Sequence, residues 1–80
     1  MIRIIVVKNE SYSLVAISRE YIEAMESAEF YITVPMNEYK TRKQIISGVR
    51  IRMHSGAVYD IEDTIENLCA RLDIELRYAI

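Results

Sequence analysis

The chain has 80 residues, of which 51 % are hydrophobic and 28 % charged, with a formal net charge of −2. Eighty residues make one domain, and so small a body buries only about 60 to 65 % of the surface that its unfolded chain exposes. A domain built around nucleic acid would usually be basic, and a lone cysteine, Cys69, excludes an internal disulfide and a multi-cysteine zinc site.

Thirteen Ile, six Val, four Leu, four Met and six Tyr are a heavy apolar load for one small domain. Part of it is expected to face another molecule, most simply a second copy of the chain. The opening "MIRIIVV" is too short for the core of a signal peptide or for a bilayer span. With a single thiol and no export signal, a cytoplasmic location without membrane attachment is expected.

In chain order, "MIRIIVV" reads as a strand, and its unalternated "IIVV" suggests cover on both faces. Residues 11–29 leave two readings open. Leu14, Ile17, Tyr21, Met25 and Ala28 fit the stripe of one long helix. Equally, "KNES" turns a hairpin, "SLVAIS" returns as a strand, and Ser18 caps a short helix over 19–28. The hairpin with a short helix is preferred. Either way Glu20, Glu23, Glu26 and Glu29 would wind around a helix as an acidic band. Such a band is ordinarily a solvated face. A mimic of phosphates would carry a stronger net charge.

"EFYITVP" follows as a strand ended by Pro35, then "MNEYKTRK" as a polar loop, then "QIISGVRIRM" as a long strand bent at Gly48. The most specific local reading is a hairpin over residues 48–61, "GVRIRMHSGAVYDI", turning at "HSG" with Gly56 left-handed. That turn pairs Met53 with Ala57, Ile51 with Tyr59 and Val49 with Ile61 on one apolar face. On the other face it pairs Arg50 with Asp60 and Arg52 with Val58.

Ile65, Leu68, Cys69 and Leu72 then mark a helix over about 62–72, acidic at its start and with Arg71 at its end. "DIELRYAI" alternates as a last strand, its terminal Ile80 expected to dock within the chain or across a dimer axis. The whole is an α+β domain spanning 1–80. A mainly antiparallel sheet carries the 62–72 helix on one face, with the short 19–28 helix beside it.

The chain length and the run "GVRIRMHSGAVYDIEDTIENLCARL" resemble the Yopt family of uncharacterised Bacillus prophage proteins, which is unrelated to the Yersinia protease of similar name. The resemblance implies a homodimeric α+β domain with a few strands and as few as one helix. It brings no established activity and transfers no functional residues. A one-helix fold would discard the 19–28 helix and keep the 62–72 helix.

The residues offer three kinds of candidate site. Lys40, Arg42, Lys43, Arg50 and Arg52, with Tyr39 and His54 nearby, are the basic cluster that a nucleic-acid regulator would use. A solvated loop and the outer face of a hairpin explain the same residues, with Arg50 partnered by Asp60. For catalysis, His54 is the only histidine, Cys69 falls on the buried helix stripe, and no phosphate loop or serine elbow is present. No catalytic residue, metal or cofactor is therefore expected. For protein contact, tyrosine and methionine are enriched at interface centres. Tyr31, Tyr78 and Ile80 are the interface candidates. The expected function is a non-enzymatic homodimeric module that contacts itself and an unidentified host or phage protein, with nucleic acid the less favoured partner.

Overall fold

The computed structural model describes residues 1–75. Five strands form one antiparallel sheet in the order β2-β1-β5-β4-β3, where β1 is Ile2–Lys8, β2 Ser11–Ile17, β3 Ile22–Pro35, β4 Thr41–Met53 and β5 Val58–Ile61. One helix, α1, spans Ile65–Leu72. The expected α+β class and the single firm helix are both found.

The "KNES" hairpin forms. Asn9 and Glu10 take positive φ (+52° and +65°), as a two-residue type I′ turn requires, and Lys8 pairs with Ser11. The "HSG" hairpin also forms, with Gly56 at φ +94° and Met53 N–H donating to Ala57 O at 2.8 Å. Its register pairs Val49 with Ile61, Arg50 with Asp60, Ile51 with Tyr59 and Arg52 with Val58.

The expected 19–28 helix does not exist. Arg19–Tyr21 make a single 3-10 turn, and from Ile22 the chain is already strand β3. Its partner β4 is nearly as long, and the two pair from Ile22–Met53 to Pro35–Thr41 with one irregularity between Ile22 and Ala24. Cross-strand pairing along this length overrides the modest helical preference of "EAMESAE". The acidic residues consequently line a strand rather than a helix. The two strands also absorb residues expected in loop: the connection shrinks to Met36–Lys40, braced by Asn37 Oδ1, which accepts from the N–H groups of Tyr39 and Lys40 at 2.8 and 2.9 Å.

β1 is covered on one face only. Ile4 and Val6 are buried beneath α1, while Ile5 lies exposed on the opposite face. The core is Ile4, Val6, Ile17, Val49, Ile51, Met53, Ile61, Leu68 and Leu72. α1 presents Leu68, Cys69 and Leu72 to it, starting at Thr64, whose hydroxyl accepts from Asn67 N–H at 3.1 Å. At its other end Asp73 is left-handed, and Ile74 N–H returns to Cys69 O at 2.8 Å.

Gly48 is where the sheet changes sides. Val49, Ile51 and Met53 bury their side chains on the helix face, but further out along the same ribbon Phe30 and Ile32 are buried on the other face. The outer arm of β3–β4 curls away from the helix until its edge meets the β1–β2 turn. There Thr33 donates to Glu10 twice, N–H to O at 2.9 Å and Oγ1–H to Oε2 at 3.0 Å, and Lys43 reaches Glu10 Oε1 at 3.0 Å. Phe30 lies over Gly48 in this bend, in the space a Cβ would fill.

Candidate interaction surfaces

The curl gathers the basic residues differently from what their spacing suggests. Arg50 Nε donates to Asp60 Oδ1 at 2.8 Å, closing the cross-strand pair that the hairpin register implies. Arg52 faces Glu26 across β3 at 3.9 Å, and Lys43 is held by Glu10. The hydrogen bond that Arg50 donates to Asp60 raises the Arg50 pKa, and the one that Lys43 donates to Glu10 lowers the pKa of Glu10. These pairs are exposed or half-exposed and contribute under about 1 kcal/mol each, but they do neutralise the charge. Of the five cations, Lys40 and Arg42 at the tip of the arm carry no ion pair among the described residues.

His54 is exposed in the hairpin loop, with its backbone N–H tied to Tyr21 O at 2.8 Å, whereas Cys69 is a buried free thiol on α1. Among the described residues no group of three or more His, Cys, Asp or Glu side chains is placed to hold a metal ion. No helix among them is long and apolar enough to cross a membrane. A cleft of about 550 Å³ opens between the bend and the start of α1, lined by Ser27, Ser47, Gly48 and Thr64 with the carboxylates Glu29 and Glu66. Asp63 stands beside it. Burial pushes its carboxyl upward, but hydrogen bonds from Thr64 N–H, Asn67 and Arg71 outweigh that and hold its pKa below the usual value. It is a brace for the helix start.

Two apolar outcrops remain uncovered among the described residues. Tyr31, an interface candidate, is 54 % exposed on the arm, and its cross-strand partner Ile45 is 52 % exposed. Tyr78 and Ile80, the other two candidates, lie outside the described residues. The second outcrop was not anticipated. Ile5 and Leu14, directly paired across β1 and β2, are 53 % and 60 % exposed on the face away from α1, with Tyr12 beside them. The signal was present in "SYSLVAI", a strand with no charge in it.

Arg19 is the other residue that spacing did not reveal. Its Nη1 donates to Asp73 O at 2.9 Å and to Asp73 Oδ2 at 3.1 Å, so a cation from the β2–β3 junction closes the C-terminal end of α1.

Comparison with known protein families, with curated proteins and with solved structures returned no match.

Proposed function

We propose that the protein is a non-enzymatic homodimeric interaction module, cytoplasmic and of the prophage type its resemblance to the Yopt family implies. The observation that carries this reading is the pair of separate apolar outcrops, Ile5–Leu14 on the sheet and Tyr31–Ile45 on the arm. Large contiguous apolar patches are uncommon on a soluble monomer, and neighbouring exposed apolar side chains such as these are where a contact surface would start. One outcrop serves the second copy and the other a host or phage protein. No catalytic group is invoked.

The competing reading, a nucleic-acid regulator, has Lys40 and Arg42, which carry no ion pair among the described residues, with the exposed Tyr39 between them and Met36. Phosphate contacts release counterions, so retention by a nucleic-acid column would fall steeply with salt. The module reading expects weak retention of the protein, unchanged in a variant carrying Lys40→Glu, Arg42→Glu and Lys43→Glu together. Strong retention at moderate salt that this triple variant loses would favour the regulator. The dimer itself is tested by mass in solution: it should persist on dilution, and a monomer would contradict it.

A further inference from the structure

Resting on the homodimer reading above, we infer that the two copies join by pairing their β2 edges antiparallel, with Leu14 opposite Leu14 of the second copy.

Among the described residues the sheet has two edges, β2 and β3, and they are finished differently. β3 carries Glu23, Glu26 and Glu29, ends in Pro35, has an irregularity near its start, and gives Thr33 N–H to Glu10. Charges, proline, bulges and cover are the devices that stop an edge from pairing with another chain. Among the described residues, β2 has none of them. It is seven residues long, uncharged, and flanked on its outward face by Leu14 and Tyr12. An edge left in this state is a template for a further strand.

The type I′ turn fixes which backbone groups are available. Lys8 and Ser11 close the hairpin as a hydrogen-bonded pair, so Ser13, Val15 and Ile17 also bond toward β1. Tyr12, Leu14 and Ala16 therefore turn their N–H and C=O groups outward. A twofold axis at Leu14 sets Tyr12 against Ala16 of the second copy, Leu14 against Leu14, and Ala16 against Tyr12. All three outward-facing residues are used, each pair closing two hydrogen bonds. Centring on Ser13 or Val15 leaves one of the three without a mate inside the strand.

Charge agrees with this register. It places Glu10, just before β2, opposite Ser18 of the second copy and next to its Arg19, so no like charges are opposed, although each of the two already has a partner in its own chain, Lys43 for Glu10 and Asp73 for Arg19. The outward side chains of Tyr12, Leu14 and Ala16 meet on one face, extending the Ile5–Leu14 outcrop across the axis. The Tyr31–Ile45 outcrop is left free on each arm for a different partner.

Leu14→Cys tests the geometry on the full chain. Residues opposed in a hydrogen-bonded pair stand about 5.5 Å apart at Cα, within the roughly 4.4–6.8 Å that a disulfide spans. Cys69 is buried and stays out of the reaction. Oxidation should convert Leu14→Cys largely to a covalent dimer and leave Tyr31→Cys monomeric on a denaturing gel. As Leu14 is exposed, Leu14→Lys should fold normally while raising the dimer dissociation constant at least tenfold, because like charges are then opposed. A dimer that persists in light scattering while Leu14→Cys fails to cross-link, or while Leu14→Lys dissociates no more readily than the parent, overturns the edge pairing and leaves the homodimer standing. A parent protein that is monomeric at all concentrations overturns both. A monomer whose Tyr12, Leu14 and Ala16 amides resist hydrogen exchange would show another segment of the same chain on the edge, and also overturns both.

Discussion

Gly48→Ala should destabilise the protein by about 3 kcal/mol or more, a large part of the roughly 4–12 kcal/mol that a chain of this length can be expected to have. A Cβ at this position would collide with the Ile61 carbonyl oxygen and come within 2.7 Å of the Phe30 ring. The ring could swing aside, but the carbonyl belongs to β5 beneath the core and cannot. Adding Phe30→Ala to Gly48→Ala should therefore restore little of the loss. The urea midpoint measures this directly: a Gly48→Ala protein with an unchanged midpoint would contradict the close approach, and full rescue by Phe30→Ala would place the whole conflict in the ring. The position matters beyond stability. Gly48 is where the ribbon changes its buried face, so the curl that carries Tyr31 and Ile45 away from the helix starts here.

Leu68→Ala should cost about 2–5 kcal/mol, with the cavity adding to the lost transfer energy. Leu68 is fully buried, and with Leu72 it anchors α1 on the sheet. A helix of eight residues has no appreciable stability of its own in water, so nearly all that holds it is this packing and its two ends. Ile65, half-buried at the rim of the same stripe, provides the comparison: Ile65→Ala should cost clearly less. Thermal or urea unfolding followed by circular dichroism checks both. Equal losses at the two positions would mean that the helix does not seat through Leu68.

Residues 48–72 were legible from sequence because their signals are local. A three-residue turn with a glycine at positive φ sets a hairpin register by arithmetic, and four apolar residues at helical spacing name a buried face. The misreading of 19–28 has a physical cause. "EYIEAMESAE" contains good helix formers and glutamates at every third position, and what makes it a strand is a partner lying beyond a loop at 36–40. Sequence places Met25 on a helical stripe; only the pairing of Met25 with Ile51 and Ser27 with Val49 explains its true setting.

The surface was legible to a lesser degree, for the same reason. Arg50 could be assigned to Asp60 because both lie in one hairpin. Arg52 and Lys43 take their carboxylates, Glu26 and Glu10, from strands and turns far away in the chain. A basic cluster counted along the sequence thus becomes, among the described residues, three ion pairs and two cations without one at the arm tip. The uncharged β2 was readable as composition, but its meaning depends on its being an edge, which is a property of the strand order.

The apolar surface left by this fold should close on a second copy. Absolute mass by light scattering over a dilution series tests it most directly. The chain weighs 9.3 kDa. The measured mass should be twice that value and hold as concentration falls through the micromolar range; a mass that stays at 9.3 kDa at every concentration would rule the dimer out.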